Sequence, residues 1–384
     1  MAHKRNPEES SWLSRIPWKK SLVLFILGLV LLVIYVAFAN LTQVVQLLAA
    51  VDLKLVSLAI LVIILGSFFY AIAWQKMLSC TELQTSFFRV LYYAYIGMFF
   101  DLIIPIGGSA GIAVRSYLIK EERRKKNIIE TDLWGRALTS QTATKICVTL
   151  WIVVSGVLGF VYLFMRFHLP RYTTIAMGFF LSVSTIGIIV LILLSIHPEA
   201  PTRLAHGLLN VIGRMFPFLK PRIEEMRQRA EENAQSFSKG MNVLIKQKGV
   251  LMFSLIFTFL YYLSFIMAAW LSFVALGLQQ PILVICAIAT VALIIEFLGW
   301  GLPGGIGIKE IITAELFVVV IGASQTSSEI APRAVAAAAS IMVNFLMFWV
   351  PLVLNAIFAF KALPILRKAW KSMAEIRKQD FPIQ

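Results

Sequence analysis

The sequence predicts an all-α, polytopic helical membrane protein with about six spanning helices plus two broken re-entrant hairpins arranged as an inverted repeat. Three observations predict it. The 384-residue chain is 59% hydrophobic and only 14% charged, with a mean hydropathy of +0.82, too apolar for a water-soluble domain of this size. Runs of about 20 residues with few or no charges recur from end to end, each long enough to cross ~30 Å of hydrocarbon as a helix. The Lys and Arg residues outside these runs gather in a few segments, which assigns the two sides of the membrane. Soluble enzymes, coiled coils and secreted disulfide scaffolds are thereby excluded. Cys80, Cys147 and Cys286 are far apart with no CxxC pair, and His3, His168, His197 and His206 form no ligand cluster. Neither a disulfide framework, a metal site nor a cofactor is expected.

Taken in order, the chain opens with a basic tail, residues 1–20, that carries Lys4, Arg5, Arg15, Lys19 and Lys20. The first apolar run, Leu22 to Ala39, is too long for a signal-peptide core and has no small-residue cleavage pattern after it, so it is read as a retained helix. Further spans run from about Val56 to Trp74, Phe87 to Ile104, Ala137 to Met165, Thr173 to Ile196, Val250 to Leu276, Ile282 to Leu302, Ile311 to Gly322 and Ala334 to Phe360. One transmembrane domain therefore covers residues 21–360, and a second tail, 361–384, holds six Lys or Arg. Lys120 to Lys126 reads KEERRKK, and the segment 197–248 holds nine Lys or Arg. By the positive-inside rule both tails and both basic segments are cytoplasmic. The opposite side keeps only Lys54, Arg166 and Arg171 outside the spans. Orientation and attraction to anionic lipid headgroups account for the basic segment 197–248, so no nucleic-acid partner is expected.

This orientation makes a demand on Phe87 to Lys120, whose flanking loops are both cytoplasmic: the segment must enter and return. Its second arm, read as about Gly111 to Ile119, is too short to cross at ~1.5 Å per residue, which predicts a re-entrant hairpin broken at Pro105-Ile-Gly-Gly. The same parity over Ile282 to Gly322 predicts a second hairpin, entering from outside and broken at Pro303-Gly-Gly, with longer arms. An internal repeat joins the two. Gly107 and Gly108 lie 197 positions before Gly304 and Gly305, Arg136 lies 197 before Arg333, and Pro105 lies 198 before Pro303. The repeat units are residues 87–166 and 281–360, and opposite entry makes them inverted, as in secondary transporters.

Broken helices leave backbone groups that lipid cannot satisfy, so the breaks mark a protein-lined or watery cavity. After each break a short helix begins, and its N-terminal amides and dipole favour an anion. Gly107, Gly108 and Gly111 in the first hairpin, and Gly304, Gly305 and Gly307 in the second, allow close backbone approach there. The alternative is that these glycines only pack helices tightly. Ionisable residues inside apolar spans are costly and mark polar interiors. Arg115 is placed to return over the first hairpin toward a phosphate, or else to snorkel to the surface. Arg136 and Arg333 are equivalent in the repeat, which points to a pocket, although each also marks a helix end. Lys145 lies deeper, beyond an uncharged polar patch (Thr139, Ser140, Gln141, Thr142, Thr144). Asp101 and Glu296 precede the break prolines and suit ion pairing or proton coupling, and Glu310 favours the first turn of a second arm.

The stretches PIGGSAGIAVRSYLIKE and WGRALTSQ, and later LPGGIGIKEIITAELF and APRAVAAAASIMVNFLMFWVPLVL, resemble the paired motifs of the flippase-like membrane region of lysylphosphatidylglycerol synthases. The similarity covers roughly Ser21 to Phe360. The first motif departs from the family pattern at Ile106, where a glycine is common, and at Ser109-Ala110. The resemblance implies movement of a phospholipid or lipid-linked phosphate between leaflets in the cytoplasmic membrane of a bacterium or archaeon. It does not imply aminoacylation: the soluble catalytic domain of the two-part synthases is not expected, because this sequence ends about 24 residues after its last helix.

The leading reading is a lipid translocase, not an enzyme, that takes a membrane phospholipid or a polyprenyl-phosphate-type lipid, with the headgroup phosphate held between the hairpin tips by Arg115, Arg136 and Arg333. A carrier of small soluble anions is the first rival. A membrane-embedded lipid-phosphate enzyme is the second, and it would need a nucleophile or metal cluster at a membrane face. A scaffold subunit is the third, against which the buried charges argue.

Overall fold

The computed structural model of the chain describes residues 18–104, 109–125, 133–167, 170–197, 237–298, 305–324 and 331–364, with scattered positions between 199 and 235. Among these residues every regular element is helical and none is a strand. Helices α1 (Trp18–Phe38) and α2 (Leu41–Ala49) meet at a 97° bend. The bend is made by Asn40, whose left-handed backbone (φ 75°) ends α1 while its side chain accepts the Gln43 amide at 3.3 Å and starts α2. Asp52, with an extended backbone, caps the start of α3 (Leu53–Cys80) by accepting the Lys54 amide at 2.8 Å.

Next come α4 (Phe87–Ile103), α5 (Ser109–Lys125), α6 (Leu133–Arg166), α7 (Arg171–Ile196), α8 (Lys248–Ala275), α9 (Ile282–Leu298), α10 (Ile308–Ser324) and α11 (Pro332–Asn344). The last continues through a π turn, Phe345–Trp349, so that the whole helix runs to Pro364. The π turn sits just before Pro351. Proline has no amide to give and crowds the carbonyl four residues back, and a local π turn absorbs both.

Four helices among the described residues are long and apolar enough to cross a membrane: Leu53–Cys80, Gly135–Arg166, Lys248–Ala275 and Pro332–Pro364. The bent α1–α2 pair makes a fifth if counted as one span. This is a multi-pass membrane protein. Its outer surface agrees: Val33, Leu158, Phe164, Ile186 and Val353 are all exposed, a surface that suits lipid rather than water.

The helices come in matched sets. Helices α4, α5, α9 and α10 are 17 residues each, α6 has 34 residues, and the helix from Pro332 to Pro364 has 33. Helices α4 and α5 are antiparallel, because Arg89 near the start of α4 pairs with Glu122 near the end of α5, and Tyr93 donates to the same carboxylate at 3.2 Å. The second arm is longer than the sequence suggested. It continues past Ile119 through the basic run to Lys125, because Lys, Glu and Arg are good helix formers and Glu121 pairs with Arg124 one turn on, at 3.1 Å. Seventeen residues give about 25 Å of helix, close to the hydrocarbon thickness rather than far short of it.

Two of the apolar cores among the described residues surround the paired helices. One gathers Trp74, Val90, Tyr95, Ile96, Leu118 and Ile119 around the first hairpin. The other gathers Ile285, Ile288, Phe317, Ile321, Val335 and Val343 around the second. Between them lies a cavity.

Candidate functional site

Helix α5 carries Arg115 ten residues before its end at Lys125, about 15 Å along the axis. The side chain is only 2% exposed. It lies flat across Gly97 of α4, where a Cβ would come within 2.6 Å of Arg115 Cδ. Its Nε donates to Gln141 Oε1 at 2.8 Å, and a terminal nitrogen donates to Asp101 Oδ2 at 3.1 Å. The rings of Tyr70 and Trp74, both from α3, stand 5.9 and 5.8 Å from the guanidinium carbon, so the charge is held by π faces as well as hydrogen bonds. Gln141 is fixed in turn, since its amide nitrogen donates to Ser116 Oγ at 2.9 Å and to the Ile112 carbonyl at 3.3 Å. Trp74 donates to Ser140 at 3.3 Å.

Asp101 ties this cluster to the break between the arms. Its Oδ1 accepts the Gly111 amide at 2.8 Å while Oδ2 meets Arg115. A Cβ at Gly111 would strike the Gly97 carbonyl and the Asp101 carboxylate, so glycine is required there for α4 and α5 to meet.

Asp101 and Arg115 form one wall of a cavity of about 190 Å³. Lys145 of α6 lines it too, twelve residues from the start of its helix, and Asn355 of α11 adds an amide. The rest of the lining is apolar and aromatic: Tyr70, Tyr261, Tyr262 and Phe265 with Ile152, Leu293, Met347 and Pro351 among the aliphatic contributions. Met347, Pro351 and Asn355 come at intervals of four from one stripe of α11, and the π turn before Pro351 sets the direction of that stripe. Helices from both halves of the chain therefore contribute walls.

The second hairpin is built differently. Gly305 and Gly307 have positive φ (65° and 87°), and Glu310 Oε2 accepts the Gly307 amide at 2.6 Å. The carboxylate at the third helical position thus caps its own helix start. Gly307 also touches α1, where a Cβ on Gly28 would collide with the Ile306 carbonyl. Tyr35 of α1 donates to Glu315 of α10 at 3.0 Å. Lys309 and Glu310 are both buried, with the ammonium 5.1 Å from the Phe348 ring centre. Thr313 and Ser340 hydrogen-bond at 2.6 Å, and Ser340 also donates to the Glu310 carbonyl at 2.7 Å.

The sequence-predicted site residues therefore divide. Asp101, Gly111, Arg115 and Lys145 come together. Arg136 and Arg333 do not join them, contrary to the pocket role expected from the repeat. Arg136 meets Glu82 at 3.1 Å on a rim where the Glu82 side chain is 81% exposed, and Arg333 is exposed in the first turn of α11. Both open long helices, and an arginine at a helix start is drawn to the polar interface. Replacing Arg136 with Gln is expected to change unfolding stability by less than about 1 kcal/mol, because the pair is rim-exposed; a thermal melt in detergent checks this. Gly305 and Gly307 lie at the second tip, away from the cavity lining. Gly107, Gly108 and Gly304 lie outside the described residues, as does the side chain of Glu296. Among the described residues no three His, Cys, Asp or Glu side chains gather.

Gly97, Tyr70 and Trp74 were not singled out by the sequence, and Gln141 entered only as part of a polar patch. A glycine four residues before an intramembrane aspartate was the available signal for Gly97.

The family model for the lysylphosphatidylglycerol synthase TM region matches residues 25–354. The chain belongs to this family. Within it, a UPF0104 membrane protein of Pyrococcus horikoshii is 22% identical over 347 residues, covering 89% of this chain and 97% of that protein. A UPF0104 membrane protein of Methanothermobacter thermautotrophicus is 21% identical over 332 residues, covering 86% and 92%. No solved structure matches the chain. The lysylphosphatidylglycerol synthase family match spans every wall of the cavity except Asn355, which lies one residue beyond it.

Proposed function

We propose that this chain is a lipid translocase that moves an anionic phospholipid or lipid-linked phosphate between leaflets. The observation that carries the reading is the cavity, which Arg115, buried and paired with Asp101, and Lys145 line together with an otherwise largely apolar and aromatic wall. Arg115 and Lys145 outnumber the single carboxylate of the described lining, Asp101, which suits an anion among apolar walls, and the apolar lining suits the part of a lipid next to its phosphate. A fork-shaped guanidinium recognises a phosphate through paired charge-assisted bonds. The protein works as a carrier, with the 87–166 and 281–360 units as inverted halves that rock about the cavity. Membership of a lipid-related family supports the same reading.

Leaflet exchange in liposomes tests it, using a labelled anionic phospholipid and, separately, a labelled polyprenyl phosphate. Exchange of either lipid is the expected result. No exchange of either, with uptake of free phosphate instead, assigns the cavity to a soluble anion.

Orientation is part of the proposal: both termini are cytoplasmic, in the inner membrane, and the basic face meets anionic headgroups. A cysteine introduced at Glu82 is expected to react with an impermeant maleimide only from the cytoplasmic side, and one at Lys54 only from the opposite side. The same sidedness for both overturns the topology.

A further inference from the structure

The cavity already holds an anion of its own. The guanidinium of Arg115 is committed at Nε to Gln141 and on its faces to Tyr70 and Trp74, which leaves the edge bearing its terminal nitrogens for another partner. Asp101 sits on that edge at 3.1 Å. Arg115 is 2% exposed at the side chain and Asp101 19%, so the carboxylate rather than the guanidinium is the partner that faces open space. An arginine buried among apolar side chains needs a counter-anion, and a phosphate that comes to Arg115 needs the same edge. The other internal carboxylate that meets a second-arm amide, Glu310, is 2% exposed and is not part of the cavity lining.

We propose that Asp101 is a built-in stand-in for the ligand phosphate: it neutralises Arg115 in the empty site and competes with an incoming phosphate monoester or diester for the same guanidinium edge. The inference rests on the translocase reading of this cavity and adds to it a means of release. A site that held phosphate with an uncontested arginine would bind tightly and let go slowly, whereas an internal carboxylate returns to the guanidinium as the ligand leaves and keeps affinity moderate. Because the other oxygen of Asp101 caps the Gly111 amide at 2.8 Å, the exchange of partners takes place beside the break between the two arms.

The test is binding of farnesyl phosphate, and in parallel of inorganic phosphate, to the purified full-length protein in neutral detergent by calorimetry. Asp101→Asn removes the competing charge but keeps an oxygen for the Gly111 amide. It is expected to bind farnesyl phosphate about tenfold more tightly or better, since a desolvated charge partner is worth at least that much. Asp101→Glu keeps the charge and is expected to bind no more tightly than the native protein. A merely structural aspartate predicts the opposite sign, weaker binding in Asp101→Asn. Unchanged or weaker binding in folded Asp101→Asn, with binding lost in Arg115→Gln, overturns the competition and leaves the site reading intact. Native binding in Arg115→Gln overturns both. Should Asp101→Asn not fold, Asp101→Ser removes the same charge and is scored in the same way. Tighter binding of farnesyl phosphate than of inorganic phosphate assigns the ligand to lipid, and equal binding assigns it to a free anion; the gain in Asp101→Asn is expected for whichever binds.

Discussion

Arg115→Gln is expected to abolish leaflet exchange while the protein remains folded and monodisperse. The native guanidinium supplies the charge-assisted donors of the cavity, and truncating one partner of a buried, hydrogen-bonded charge pair costs about 2 to 5 kcal/mol, a loss of roughly 30-fold or more in affinity. The glutamine retains a donor that can reach toward Gln141, and Asp101, at 19% exposure, can take up water from the cavity. The fold is therefore hurt less than the function. Arg115→Lys is the informative companion. It keeps the charge but loses the fork that serves Gln141 and Asp101 together, so exchange is expected to fall between the native protein and Arg115→Gln. The measurement is the initial rate of exchange in proteoliposomes of matched protein content. Native rates in Arg115→Gln would remove this cavity from the transport path.

The second expectation concerns the backbone that shapes the site. Gly111→Val places a branched side chain where even a Cβ strikes the Gly97 carbonyl and the Asp101 carboxylate. One of the two obstacles is backbone, which no rotamer change relieves, so α4 and α5 must separate. Overpacking of this kind costs about 1 to 3 kcal/mol, and it pulls Asp101 away from the Gly111 amide and from Arg115. A lower unfolding temperature in detergent and reduced exchange are expected together. Gly178→Ala is the contrasting case, because nothing stands within 4 Å of a Cβ there, and alanine in a helix interior is favoured by about 0.5 to 1 kcal/mol over glycine. Loss of stability in Gly178→Ala equal to that in Gly111→Val would mean that close approach at Gly111 is not what the glycine provides.

Some of this architecture was legible residue by residue. Apolar runs such as Val56 to Trp74 and Val250 to Leu276 announced helices because a membrane leaves a backbone few alternatives to satisfying its own hydrogen bonds. Asp101, Arg115 and Lys145 announced a polar interior because charge in an apolar span is expensive. Other features were hidden for identifiable reasons. Helix α5 exceeds the expected second arm because the basic run after Ile119, whose charges suggest a loop, continues the helix through its Glu–Arg pairing. Arg136 and Arg333 looked like site residues because repeat position is visible in a sequence, whereas the direction of a side chain at a helix end is not. Glu310 was expected to favour the first turn of a second arm, and only the structure shows the form this takes, its carboxylate closing on the Gly307 amide.

Membrane residence, helical class and family membership thus belong to the linear chain, since each depends on composition, run length and motif spacing along one strand of sequence. The making of the cavity does not. Arg115 is held by Asp101, Gln141, Tyr70 and Trp74, which are 14, 26, 45 and 41 positions away in the chain. Glycines at 97 and 111 let their helices close to backbone contact, and the π turn before Pro351 aims the far wall. Contacts among five separate helices follow from packing, and packing is settled only when all of those helices compete for the same space.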